Sequence, residues 1–121
     1  MIINETQYGS ALVLYPDGRL DQYSATIFQE KLLLAVGGGH TAVIVDFSKV
    51  PYVSSTGLRA IGIAARQSKA NGISLAVSDL TPAVEEIFSI SRYNFVVDVH
   101  AILRDAVAAV SEKALRAFES A

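Results

Sequence analysis

Three consecutive hydroxyl side chains, Ser54-Ser55-Thr56, stand directly before Gly57 and an amphipathic stretch that begins at Leu58. At such a place serine and threonine accept hydrogen bonds from the N–H groups that the first turn of a helix leaves unpaired. One hydroxyl is enough for that role. The others are left for water, a ligand or a modification, and propensity alone does not choose among these. Nucleophilic catalysis would need a neighbouring base to activate one of them. Asp21, Asp46 and Ser55 can converge near one sheet edge, but no histidine or lysine sits in a motif with them. Asp46 closes a strand-like run, where an aspartate more often serves as a turn or cap residue. An enzyme is therefore not expected.

Metal chemistry has as little to draw on. The chain has no cysteine, and its two histidines, His40 and His100, lack the spacing of a ligand pair. Neither a metal nor another cofactor is expected. Gly37-Gly38-Gly39 follows a helical pattern and leads into a strand, without the Gly-Lys-Ser/Thr ending of a phosphate loop. These glycines are expected to end a helix. Nucleotide binding at the carboxyl ends of the strands is the stronger rival for a small ligand, yet no glycine-rich fingerprint follows a strand. The net charge of −2, from 10 Lys and Arg against 12 Asp and Glu, gives no general attraction to nucleic acid or anionic lipid. Arg59 and Arg66 lie seven residues apart on one helical face, either as solvated charges or facing an acidic partner.

Positioning these residues falls to a chain of 121 residues, 51% hydrophobic and 18% charged, long enough to bury a core without disulfides. A single domain over 1–121 is expected. Residues 1–6 and 11–15 read as two strands joined by a turn at Tyr8-Gly9-Ser10, with a second turn at Pro16-Asp17-Gly18. A helix follows from about Tyr23-Ser24 to Val36, with Ser24 as its cap. Thr41 to Asp46 is a continuous apolar run suited to a central strand covered on both faces. A second helix is expected from about Ser55 to Ala70, with Leu58, Ile61, Ala65 and Ser68 along one side and Gly62 allowing it close to the sheet. Ile73 to Val77 is the next strand. Thr81-Pro82 followed by Glu85-Glu86 starts another helix. A last strand is expected over Phe95 to Val99, then one final amphipathic helix through Leu103, Val107, Val110 and Ala114. The expected fold is α/β: a mixed sheet of about five strands, an N-terminal antiparallel hairpin, and about four helices in alternation with the later strands.

The stretch Val43 to Leu58, VIVDFSKVPYVSSTGL, resembles the signature of STAS domains of the anti-sigma factor antagonist type. Asp17-Gly18-Arg19-Leu20-Asp21 resembles that family's segment before the first helix, Leu80-Thr81-Pro82-Ala83-Val84 a later helix start, and Ile87-Phe88-Ser89-Ile90-Ser91 the segment that closes it. The matches fall in order along nearly the whole chain. The resemblance implies a phosphorylation site at Ser55, with Ser54 and Thr56 as second choices. It implies a partner surface that includes Asp21, Ser54, Thr56, Gly57 and Leu58. Tyr52, beside the turn, is a possible anchor.

The implied partners are an anti-sigma factor that is also a serine protein kinase, and a phosphatase that resets the serine. The unphosphorylated form would bind the kinase and free a sigma factor. Where the family usually has aspartate this chain has Ser54, which removes a charge and adds a hydroxyl. The alternative is a STAS scaffold that is not phosphorylated, or a subunit of a signalling or transport assembly. The N-terminus lacks the basic and apolar regions of a secretory signal, and no apolar run is long enough to span a bilayer. A cytoplasmic protein without direct membrane contact is the expectation.

Overall fold

A computed structural model describes all of residues 1–121. The elements follow in the order β1 (Ile2–Tyr8), β2 (Ala11–Asp17), α1 (Ala25–Val36), β3 (Ala42–Asp46), α2 (Ser55–Ala70), β4 (Ser74–Ser78), α3 (Pro82–Ile90), a short 3-10 helix (Tyr93–Phe95), β5 (Asp98–His100), α4 (Leu103–Val110) and α5 (Glu112–Glu119). The five strands form one sheet in chain order. β1 and β2 are antiparallel, with Tyr8 opposite Ala11, and every later neighbour is parallel. The α/β class and the mixed five-stranded sheet are as the sequence pattern requires. No helix is long and apolar enough to cross a membrane.

Strand periodicity sorts the core into two unequal layers. Leu12, Leu14, Val43, Val45, Leu75 and Val77 point to the face covered by α1, α2 and α3, where Phe28, Ile61 and Phe88 fill the space. Phe47 links two of these aromatics, with ring centroids 6.3 Å from Phe28 and 6.0 Å from Phe88. Ala11, Val13, Ala42, Ile44 and Ala76 point the other way, onto α4 and α5. Small side chains there let Ala106, Val107 and Ala114 sit close to the sheet. β3 is buried along its whole length between the two layers.

Four details differ from the sequence reading. The final helix is two helices, so the structure has five α-helices where about four were expected. Ser111 is fully extended (φ −172°, ψ 160°), and its hydroxyl accepts a hydrogen bond from the Ala114 N–H at 3.0 Å, capping α5. The break turns α5 across β1, where Phe118 meets Tyr8 edge-on at 5.1 Å. The last strand is shorter than expected, because Tyr93–Phe95 winds into the 3-10 helix before the chain reaches the sheet. Pro16 and Asp17 belong to β2, and the bend falls on Gly18 at φ +122°. Pro16 is tolerated inside the sheet because the β2–β3 pairing has already ended at Leu14 and Val45. Finally, Gly62 does not bring α2 to the sheet. A Cβ placed there would lie 3.1 Å from the Tyr93 hydroxyl, so its lack of a side chain makes room for the segment after α3.

Candidate functional site

The hydroxyl turn is built by two loops that hold each other. After Gly18 the chain runs beside residues 49–53: Gly18 N–H donates to the Lys49 carbonyl at 3.0 Å and Leu20 N–H to that of Tyr52 at 2.9 Å. Ser54 N–H returns a bond to the Leu20 carbonyl at 2.8 Å. Leu20 and Val53 thus form a parallel bridge outside the main strands, and both side chains are buried. This bridge brings the start of α1, with Asp21, alongside the start of α2.

At the start of α2 the three hydroxyls divide their duties. Ser54 is the N-cap, and its oxygen accepts from the Gly57 N–H at 3.2 Å. Thr56 is tied to Ser54, Oγ1 to Oγ at 2.9 Å. Ser55 is exposed and is the one hydroxyl of the three with no hydrogen bond inside the protein. Two hydroxyls are therefore engaged where capping chemistry alone would engage one. Gly57 is buried against Leu20: a Cβ there would stand 2.7 Å from Leu20 Cγ and 3.1 Å from the Leu20 carbonyl oxygen. Glycine at this position is thus a steric requirement of the bridge.

Asp21 has an intramolecular role of its own. Its Oδ1 accepts from the backbone N–H groups of Tyr23 at 2.9 Å and Ser24 at 3.1 Å, organising the approach to α1. These bonds, the one from Ser24 foremost, hold its carboxyl below the usual carboxylate range. Ser24 does not cap α1 through its side chain. Its hydroxyl instead donates to the Arg19 carbonyl at 2.8 Å and accepts from the Asp21 N–H at 3.0 Å. Tyr52 is half-buried, and the Arg19 guanidinium lies over its ring, 4.4 Å from the centroid. Asp46 is a turn residue, with Oδ1 accepting from the Ser48 N–H at 2.8 Å. No group of three or more His, Asp or Glu side chains is gathered as a metal site would need.

A model of the STAS domain family matches residues 3–110. This chain belongs to the STAS domain family. One relative of this STAS domain is BtrV of Bordetella bronchiseptica, named as a candidate anti-sigma factor antagonist. It is 31% identical over 104 residues, covering 86% of this chain and 89% of BtrV. Among solved structures, a candidate anti-sigma factor antagonist of Thermotoga maritima superposes with a TM-score of 0.83 at 17% identity, covering 89% of this chain and 93% of that one. The Bacillus cell fate determinant SpoIIAA in its phosphorylated form superposes with a TM-score of 0.70 at 18% identity, covering 91% of this chain and all of SpoIIAA (100%). At these identities the structural matches establish a shared fold.

The expected site residues of this STAS domain fall into two groups. Ser55 and Thr56 are exposed, Ser54, Asp21 and Tyr52 are partly so, and the Leu20–Val53 bridge draws these segments together. Gly57 and Leu58, expected at the partner surface, are buried. Leu58 belongs to the core beneath the turn, and Gly57 makes room for Leu20. Two exposed apolar residues follow Asp21 closely in the chain. Tyr23, in the turn that leads into α1, is 82% exposed, and Ile27, on the first turn of α1, is 51% exposed. Their signal was present in the spacing: positions 23 and 27 share a helical stripe that is out of phase with the buried Phe28 and Leu32. Arg19, in the segment before α1, covers Tyr52 with its guanidinium, a contact that no local sequence pattern signals.

Proposed function

We propose that this STAS domain is an anti-sigma factor antagonist, acting in the cytoplasm and without catalysis of its own, whose Ser55 hydroxyl is phosphorylated by an anti-sigma factor that is also a serine kinase. The observation that carries the reading is the division of labour at the turn. Ser54 and Thr56 are engaged with the helix start, while Ser55 alone is both exposed and unengaged. The name of BtrV supports the antagonist role, and SpoIIAA, of like fold, is known in a phosphorylated form.

Phosphate on Ser55 would add about −1.5 to −2 charges at the first residue of α2. The positive end of the helix and its free N–H groups favour an anion there, so the fold should persist. The penalty falls on the complex. A dianion pressed against an apolar or acidic partner surface must lose water without gaining a counter-charge. The unmodified form would then hold the anti-sigma factor and free the sigma factor, and a phosphatase would restore binding. Tyr23 and Ile27, exposed shortly after Asp21 in the chain, would add apolar surface to the contact.

One observation favours a second reading, a STAS scaffold that is never phosphorylated: Ser54 supplies no negative charge beside the acceptor. Incubating the protein with ATP and a candidate anti-sigma factor kinase, followed by intact mass and site mapping, separates the two. The expected result is a single phosphate on Ser55, lost in Ser55→Ala, with Ser55→Asp binding the kinase at least tenfold more weakly while keeping its fold. An unmodified protein, or a Ser55→Asp variant that binds like wild type, would move the reading to the scaffold.

A further inference from the structure

α2 carries three cations, Arg59, Arg66 and Lys69, and no acidic residue, in a chain whose net charge is −2. All three are exposed. The ion pairs of the protein are Lys31 with Glu5 and Arg104 with Glu119, so none of the three has a carboxylate within 4 Å. They border a hollow of about 670 Å³ between α2 and the segment after α3. Gly62 and Ala65 form its floor, and Phe95 and Val96 its far wall.

That wall exists because the chain does not continue into the sheet where its apolar run suggests. Arg92 takes a left-handed conformation at φ 59°, and Tyr93 turns back onto Phe88, with ring centroids 6.2 Å apart. Of the run Phe95-Val96-Val97, only Val97 is buried. Phe95 stays 81% exposed and Val96 44%. The hollow thus joins unneutralised positive charge to apolar surface that the fold has not covered.

We propose that this trough is a docking site for an extended acidic peptide segment of a partner protein, bearing an apolar or aromatic side chain that seats on Phe95 and Val96. The distribution of charge argues for a peptide. Arg59 and Lys69 are ten residues apart, about 15 Å along the helix axis at 1.5 Å per residue. An extended chain rises about 3.3 Å per residue, so carboxylates on four or five successive residues span that distance. The phosphates of a small anion are bunched and meet only part of it. The trough is also bordered by exposed side chains along its length, unlike the enclosed pockets that bury most of a small ligand. Nucleic acid is disfavoured by the overall negative charge. The proposal does not depend on Ser55 or its modification.

The test uses the full chain and a labelled nonapeptide with five glutamates and a central phenylalanine. Controls replace the glutamates by lysines or the phenylalanine by serine, and tripolyphosphate is the competitor. The expected result is saturable binding of the acidic peptide that weakens with salt, with amide shifts at Arg66, Lys69 and Phe95. Arg59→Glu with Arg66→Glu should weaken it about tenfold or more, two attractions becoming two repulsions. Phe95→Ser should weaken it separately, with Ser55→Ala unaffected. No binding, equal binding of the lysine control, shifts mapping elsewhere, or displacement by tripolyphosphate at lower concentration than unlabelled peptide would each overturn the proposal.

Discussion

At the start of α2 every hydroxyl but one is engaged, and the glycine beneath them fits against Leu20 with no room to spare. Along the flank of the same helix, three cations find no counter-charge and two apolar residues find no cover. One helix therefore presents a surface fixed from within and another completed, on our reading, only from outside. The difference teaches where substitutions should be felt. At the turn, a change at Leu20, Ser54 or Gly57 is a change in fold energy. On the flank it should register only when a partner is present.

The largest effect is expected at the bridge. Leu20→Ala removes a fully buried side chain and should destabilise the protein by about 2–5 kcal/mol, read as a lower denaturant midpoint. Gly57→Ala should cost about 1–3 kcal/mol through overpacking against Leu20. Because the two residues share the same space, the double variant should be less destabilised than the sum of the singles. Strict additivity would show that the steric fit does not govern the turn. Next in size, Ser54→Ala loses the cap bond to Gly57 and releases Thr56, for about 1 kcal/mol. Ser54→Asp keeps an acceptor there and should retain most of that stability, which the same denaturant curves would reveal. Smallest of all, Arg59→Glu with Arg66→Glu should leave stability within about 0.5 kcal/mol of wild type. A larger loss would mean that the flank, like the turn, belongs to the fold.

Much of this arrangement can be read from the residues. The bounds of α2 at Ser55 and Ala70, its buried stripe of Leu58, Ile61, Ala65 and Ser68, and the proline start of α3 all follow from local capping and periodicity. The strand sequence fixes the hairpin and the parallel remainder through the lengths of its connections. The division of duties among Ser54, Ser55 and Thr56 is another matter. Any of the three has the right chemistry, and only side-chain directions at the first turn decide which oxygen faces the Gly57 N–H. The burial of Gly57 depends on Leu20, a residue 37 positions earlier, and no local pattern encodes that approach. Ser111 did carry a readable signal, a serine followed by an acid at a helix start, inside an apolar period that runs straight through it. The trough was half visible. Arg59 and Arg66 could be placed on one face, but the opposite wall arises from the turn at Arg92 and Tyr93, which a strand-like run of Phe95 to Val97 conceals.

The bridge between Leu20 and Val53 has one more consequence. A loop that is mobile in the free protein must surrender its backbone freedom when it binds, at roughly 1–2 kcal/mol per residue ordered. Here the two connections that carry Asp21 and Ser55 are already clamped together by bonds of 2.8–2.9 Å. Their entropy is lost during folding, once, and not again at each encounter. On the function proposed above, a partner would meet a preorganised surface, so little of its contact energy would be diverted into ordering loops, and one added charge would weigh more heavily between bound and free.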